Sequence, residues 1–418
     1  MRTTVAEYFF WVATAVVGYA FAFYPLIMAA TARINAKPKA SQIDYSGSYS
    51  VVLAAFNEEA VIQRRVAEIV ALIHDFGRVG EIVVVSDGST DSTVSVVKKF
   101  DSRLVKLVEI CENVGKAEAL SRGCATAAGE VFVFADARQR WDRATLRTLL
   151  APFGDGAVGA VGGELILESK PGLLSGVGLY WRYEKWLRRN ESAVHSTVGV
   201  SGSISAVRRE LFRPIPAGTL LDDVYWPLQV TMQRRRVLYA PGAYAYDRLP
   251  DGVEGEFRRK VRTLSGNFQL LVRLPGALAP WRNPIWLQYV SHKVTRLIVP
   301  WALIAMFFAS PLIPGILYRV MFACQLAAYG VGLGALLIPR FATFRIGSAA
   351  ASFIVLNSAA WVAFWVWLSG SSGLVWRKVS YGGVGTSKHP HEGITPKITA
   401  PTHPNLTKTA RSSDLSAD

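Results

Sequence analysis

Twenty-two consecutive residues, Phe9 to Ala30 (FFWVATAVVGYAFAFYPLIMAA), carry no charge. A run of that length matches the roughly 20 apolar residues needed to cross a bilayer core. A second apolar block extends from about Leu297 to Leu368. Segments like these need a membrane around them, and within it only helices or a closed barrel satisfy the backbone. The chain must therefore divide between lipid and water.

The first run has a rival reading as a secretory leader, since Ala30-Thr31-Ala32 has the small-residue pattern of a cleavage site. The run exceeds the roughly 7–15 residues of a leader core, so a retained transmembrane helix over 1–32 is the better reading. Arg33, Lys37 and Lys39 follow it, whereas only Arg2 precedes it and is balanced by Glu7. This asymmetry puts the N-terminus outside and the next domain in the cytoplasm, as in a bacterial inner-membrane protein.

At the other end, Trp286–Leu297 places His292, Lys293 and Arg296 off its apolar face and reads as a helix lying in the membrane interface. Three spans follow at Leu297–Ile313, Val320–Ile338 and Ile346–Leu368, completing a membrane region over 284–370. The tail over 377–418 is polar and reads as disordered. Three crossings would put that basic tail outside, against the charge rule, so a segment that does not cross stays open.

The formal charge of +15 fits cytoplasmic flanks and anionic membrane lipids as partners. The basic clusters lie among membrane segments and not in a base-reading module, so no nucleic-acid partner is expected. Cys111, Cys124 and Cys324 form neither a disulfide framework nor a paired metal-ligand spacing, and read as small buried hydrophobes.

Residues 48–274 are globular. Apolar runs at Ser50–Ala55, Glu81–Val85, Leu104–Val108 and Val131–Ala135 alternate with helix-period stretches, which predicts an α/β domain with a mainly parallel sheet. Ligands in such sheets sit beyond the carboxyl ends of the strands. Three of these ends carry polar turns: Asn57-Glu58-Glu59, Ser86-Asp87-Gly88 and Asp136.

Asp87 could accept hydrogen bonds from a base or ribose, or simply belong to an Asx turn capping the next helix with Ser89 or Asp91. Asp136 could hold a hard divalent cation, Mg or Mn, that neutralises a diphosphate, or could be a strand-end turn. Asp222 and Asp223 precede a helical run; they could cap it, or one could act as a general base. Arg258, Arg259, Lys260 and Arg262 suit lipid headgroups, and equally a departing diphosphate.

Together these segments resemble the family 2 glycosyltransferases, whose catalytic domain has the GT-A fold. The resemblance runs in order through AAFNEE (Ala54–Glu59), VVVSDGSTDST (Val83–Thr93), NVGKAEAL (Asn113–Leu120), FADAR (Phe134–Arg138), GVSGSISAVRRELF (Gly199–Phe212) and LDDVYWPLQV (Leu221–Val230). The flanking helices look like the membrane-bound branch related to polysaccharide synthases. The resemblance implies a GT-A nucleotide-diphospho-sugar transferase domain flanked by transmembrane helices. It places Ala54, Glu58, Asp87, Lys116, Asp136 and Arg138 around the donor, with the metal on Asp136. Asp223 becomes the catalytic base, and Gly202, Ser203, Asp222, Arg259 and Arg262 lie toward the acceptor and diphosphate.

The chain departs from the family pattern in four places. Ser86 stands where an acid is usual, Arg138 replaces the second acid of the DxD motif, and the TED motif reads Leu221-Asp222-Asp223. The QxxRW motif is reduced to Arg259-x-x-Arg262-Thr263, without the aromatic that would stack on a sugar.

The expected function is inverting transfer from a nucleotide-diphosphate sugar, UDP-linked by preference, to a lipid-linked or saccharide acceptor in cell-surface polysaccharide or glycolipid synthesis. The alternatives are a polyprenyl-phosphate sugar synthase, a transporter with a cytoplasmic domain and a nucleotide-binding pseudoenzyme. The spans carry no internal repeat and no mid-depth charge, which argues against the transporter.

Overall fold

The computed structural model describes residues 2–37, 45–168, 175–248, 252–338, 341 and 344–370. The tail expected to be disordered, 377–418, lies outside them. The first helix runs through α1 (Arg2–Gly18), a π turn (Tyr19–Phe23) and α2 (Tyr24–Ile34). Its stretch Thr4–Ile34 is long and apolar enough to cross a membrane.

The segment that follows alternates strands and helices: β1 (Tyr49–Ala55), α3 (Glu59–Phe76), β2 (Gly80–Asp87), α4 (Thr93–Val97), β3 (Val105–Ile110), α5 (Lys116–Thr126) and β4 (Val131–Asp136). Beyond them come β5 (Arg140–Trp141), α6 (Thr145–Leu150), β6 (Val158–Glu168), α7 (Ser175–Val194), β7 (Ile204–Arg208), α8 (Asp222–Met232), β8 (Arg236–Arg248) and α9 (Gly252–Arg273). The eight strands form one sheet in the order β3-β2-β1-β4-β7-β6-β8-β5. The first four pair in parallel, as the alternation predicts.

Both faces of this half-sheet are covered, which is why its strands are apolar throughout. Val51, Leu53, Ile82 and Val84 point to one side, against Ile62, Val66 and Ile69 of α3. Val52, Val83, Val85 and Phe132 point to the other, against Leu120 and Cys124 of α5. Each such side chain contributes about 1.5–3 kcal/mol through burial. Cys124 is buried as expected, but Cys111 and Cys324 are exposed, so the expectation of three buried thiols holds for one.

β7 was not legible in the strand-helix alternation. It inserts antiparallel between β4 and β6, with Ile204 in register with Ala135. That register brings the chain entering β7, Gly202-Ser203, beside the carboxyl end of β4.

Helices α10 (Trp286–Tyr289) and α11 (Thr295–Ala309) are joined by a second π turn, Val290–Val294. The expected interface helix is therefore not separate: it is continuous with the first apolar span as Trp286–Leu312. α12 (Ile316–Leu337) and α13 (Arg345–Leu368) complete four helices long and apolar enough to cross a membrane among the described residues. α7 packs on α2 and α13, and α9 packs on α13. Leu187 of α7 joins Tyr24 and Met28, while Val261 and Phe268 of α9 join Leu297, Ala359 and Ala363. These two amphipathic helices couple the sheet domain to the apolar helices.

Candidate active site

The parallel register aligns three strand ends. Ala54 is opposite both Val85 on β2 and Asp136 on β4, so the turns after β1 and β2 open beside Asp136. The first two turns are clasped together. Asn57, at φ 51°, accepts from the Thr90 amide at 2.8 Å, and the Glu58 amide donates to Thr93 Oγ1 at 2.9 Å. Asp91 accepts from the Thr93 amide at 2.9 Å, so the local Asx turn anticipated for this loop belongs to Asp91 and not to Asp87.

The Asp87 carboxylate reaches across to the loop before α5. Its two oxygens accept from the amides of Val114 at 2.7 Å and Gly115 at 3.0 Å. Gly88, at φ +69°, lets the two loops touch: a Cβ there would lie 2.5 Å from the Asn113 amide nitrogen. Asp87 thereby fixes the start of α5 and, with it, the next residue, Lys116.

Lys116 sits among the acids. Its Nζ donates to Asp136 Oδ1 at 2.7 Å and lies 3.9 Å from Asp222 Oδ2. Burial opposes its charge, yet Asp136, Asp222 and Asp223 together hold the ammonium above its ordinary range. A Cβ on Gly202 would lie 3.1 Å from Lys116 Nζ, 3.6 Å from Asp223 Cβ and 3.9 Å from Asp222 Oδ2. The Val200 amide donates to the Asp223 carbonyl at 2.9 Å, pinning the Gly199–Ser203 loop to the first turn of α8. Ser203 accepts from Trp141 Nε1 through its carbonyl at 3.2 Å, and its hydroxyl lies 2.9 Å from that of Ser201.

Asp222 is buried and Asp223 half-buried, both in the first turn of α8, where the helix dipole favours negative charge. Burial and the neighbouring Asp222 nevertheless push the Asp223 carboxyl up to about 6, against the pull of Lys116, Lys293 and Arg188. A carboxyl poised there can take a proton near neutral pH.

Asp136 is held from beneath by a residue with no signal in the strand pattern. Arg65 of α3 is fully buried; its Nε donates to the Asp136 carbonyl at 3.1 Å, its Nη1 to Glu68 at 2.7 Å, and its guanidinium lies 4.4 Å from the Trp141 ring centroid. Arg138 is half-buried, and its carbonyl accepts from Arg64 at 3.1 Å. Arg259 is clamped by Glu256 through two bonds of 2.8 Å. The helix carrying Arg259 and Arg262 packs beside the entry to α8, where Gln269 accepts from the Leu220 amide at 3.0 Å.

The structure thus gathers Lys116, Asp136, Gly202, Asp222 and Asp223 into one cluster, with Asp87 behind Lys116 and Ala54, Glu58 and Ser203 on the flanking strands and loops. No cluster of three or more His, Cys, Asp or Glu side chains able to hold a metal occurs among the described residues. A single carboxylate still fits Mg or Mn, because such ions commonly take one or two carboxylates and complete their shell with substrate phosphates. The Asp136 carboxylate holds the Lys116 ammonium at 2.7 Å, so its position already favours positive charge.

Comparison with known proteins bears on the family and the fold. The family described as "Glycosyl transferase family 2" matches residues 50–215. The poly-beta-1,6-N-acetyl-D-glucosamine synthase of Staphylococcus aureus (strain COL) is 23% identical over 247 residues, 57% of this chain and 59% of that protein. Its counterpart in Staphylococcus epidermidis is 22% identical over 231 residues, 54% of this chain and 55% of the other. The match therefore spans less than two thirds of these relatives. A mannosyltransferase from Pyrobaculum calidifontis, solved in complex with GDP-Man and Mn2+, superposes with a TM-score of 0.62 at 22% identity, covering 86% of this chain and 99% of its own. At that identity the likeness is one of fold. Ordered motifs, sheet and family match converge: the chain carries a glycosyl transferase family 2 domain on a GT-A fold, joined to helices long and apolar enough to cross a membrane.

Proposed function

We propose that the protein is an inverting glycosyltransferase that moves a sugar from a nucleotide-diphosphate donor, UDP-linked by preference, to a saccharide or lipid-linked acceptor at the cytoplasmic face of a bacterial inner membrane, in cell-surface polysaccharide or glycolipid synthesis. The observation that carries this reading is the Lys116 ammonium set against Asp136 and Asp222, with Asp223 beside them. Lys116, beside the end of β4, offers a cation to a diphosphate, and Asp223, in the first turn of α8, offers a base for a hydroxyl. The similarity to poly-beta-1,6-N-acetyl-D-glucosamine synthases supports a saccharide product. The basic residues after the first helix support the cytoplasmic placement.

In this mechanism Asp223 takes the proton of the acceptor hydroxyl. The acceptor oxygen attacks the anomeric carbon, the bond from that carbon to the diphosphate oxygen breaks, and the nucleoside diphosphate leaves with the bonding electrons. Lys116, Arg138, Arg259 and Arg262 balance the charge developing on the leaving group. Glu58, Ala54 and Asp87 frame the nucleoside. A divalent cation on Asp136, when bound, supplies further neutralisation of the diphosphate. Gly202 and Ser203 leave the acceptor room beside the base.

Asp223→Asn keeps the shape and removes the base. Transfer from a labelled nucleotide-sugar in membranes should fall by about 10²-fold or more, while nucleotide affinity stays close to wild type. Full transfer activity in that variant would overturn the assignment.

A further inference from the structure

The contacts among the apolar helices limit how often they can cross. α1–α2 and α11 run antiparallel: Thr14 Oγ1 donates to Met306 Sδ at 3.5 Å, and Ala20 clusters with Val299 and Leu303. Their near ends are tied to the sheet domain, where Tyr24 donates to Glu191 of α7 at 2.6 Å and His292 lies 2.8 Å from the same side chain. At their far ends Phe10, Ala309 and Ile313 meet, and Tyr318 of α12 packs with them, 5.0 Å from the Phe10 ring centroid. α12 therefore begins at the face remote from the sheet domain. It then tracks back along α11: the Phe322 ring lies 5.1 Å from that of Phe307, and Gln325 donates to the Leu303 carbonyl at 3.0 Å. Each step forward along α12 meets a step backward along α11, so α12 returns through the membrane.

α13 takes another course. Phe353 packs with Ala20, Val299 and Leu303, and the Trp361 ring lies 4.0 Å from that of Trp301. Those two α13 residues are about 12 Å apart along their own helix. Both nevertheless meet the same short stretch of α11, so α13 passes across α11 and does not run beside it. Its companion is α9. The Ser265 hydroxyl donates to the Ala363 carbonyl at 3.1 Å, and the Phe268 ring lies 5.4 Å from that of Phe364 and 5.7 Å from that of Trp367. Later residues of α9 meet later residues of α13, so the two helices run side by side. α9 carries Arg258, Arg259, Lys260 and Arg262, and its Gln269 is bonded to Gly218 and Leu220 of the sheet domain. So charged a helix does not sit in hydrocarbon, and α13 shares its depth. Val362, Trp365 and Leu368 of α13 are exposed. Trp361, Trp365 and Trp367 crowd its last turns, and tryptophan favours the boundary between headgroups and acyl chains.

We propose that α13 does not cross the membrane: it lies in the bilayer interface on the side of the sheet domain, with its exposed Val362, Trp365 and Leu368 set into the boundary between headgroups and acyl chains. The described chain then crosses three times, through α1–α2, α11 and α12, and Arg345 and Ser369, at the two ends of α13, stand on one side. α13 is long and apolar enough to cross; its partners, not its composition, hold it at the surface. The placement removes the conflict with the charge rule, since the basic residues Arg377 and Lys378 follow on the side of Arg33 and Lys37. Nothing in it depends on the chemistry at Lys116 and Asp223.

The test counts accessible thiols on the full chain in sealed membrane vesicles with the sheet domain outward. The parent carries Cys324→Ser; Cys111 is exposed on the sheet domain and Cys124 is buried, so an impermeant polyethylene-glycol maleimide should add one mass increment. Arg345→Cys and Ser369→Cys, made separately in that parent, should each give two increments without detergent. Thr4→Cys, at the far end of α1, should give one, rising to two only after detergent opens the vesicles. A second increment that waits for detergent in either α13 variant overturns the placement, since that end of the helix would then lie on the far face or within the membrane. Two increments without detergent for Thr4→Cys overturn the three-crossing path, because α1 and the sheet domain would share a face. A third increment reports an unmasked Cys124 and a misfolded chain; the neighbouring Phe344→Cys then replaces Arg345→Cys and is read in the same way.

Discussion

Removing the Lys116 charge should move the pH at which the protein switches on. Asp223 must be ionised to act as a base, so activity rises as pH climbs through its pKa, which burial and Asp222 set at about 6 and Lys116 helps hold down. The Lys116 Nζ lies 3.9 Å from Asp222 Oδ2, a separation worth about 4 kcal/mol between unit charges at an effective dielectric near 20. The Lys116 and Asp222 side chains are 27% and 12% exposed, so solvent screens part of this, and Asp223 is held through a longer path. A residual effect of about 1.4 kcal/mol on Asp223 is a shift of about one pH unit. In Lys116→Met the acid limb of kcat/KM should therefore move from about 6 to about 7. The assay is transfer of labelled sugar in membranes from pH 5 to 9, and the position of the limb is read independently of its height. A variant with reduced activity but an unmoved limb would refute the reasoning, since Lys116 would then handle only the donor.

Asp222→Asn removes the neighbouring negative charge that raises Asp223, so its acid limb should move the other way, below 6, in the same pH series. Chelation with EDTA should depress transfer, and added Mn or Mg should restore it; full transfer in EDTA would mean that Lys116 and the arginines neutralise the diphosphate without a metal. Gly88→Ala sets a Cβ 2.5 Å from the Asn113 amide nitrogen at φ +69°. It should destabilise the domain by about 1–3 kcal/mol, read as a lowered thermal midpoint in detergent, with a midpoint equal to wild type contradicting the close approach.

Much of the region around Asp87 and Asp136 was legible because strand ends carry their own signal. A continuous apolar run stopped by Ser86-Asp87-Gly88, and another stopped at Asp136, point to neighbouring strand ends once the sheet is known to be parallel, and the register of Ala54 with Val85 and Asp136 aligns those ends. Asp91, not Asp87, makes the local turn; a loop of Ser, Asp, Gly and Thr offers several acceptors, and only the fold decides which one is close to an amide. Arg65 left no trace, since an arginine at a buried helical position looks like any surface arginine until Trp141 and the Asp136 carbonyl are placed over it. The interface helix expected over Trp286–Leu297 merges with the span beyond it, because two of the polar residues that suggested an exposed face, His292 and Arg296, are paired against α7.

From residues alone came the apolar segments, the alternation that demands a parallel half-sheet, and the acids at the strand ends. These are local properties: span length, period and turn chemistry act over a few neighbours. The tertiary structure alone decided the antiparallel insertion of β7, which brings Gly202 beside Lys116. It also decided the pairing of His292 with Glu184 and Glu191. Those contacts join residues about a hundred positions apart, and a charge reveals what it is for only when its counter-charge, or the lack of one, is in view.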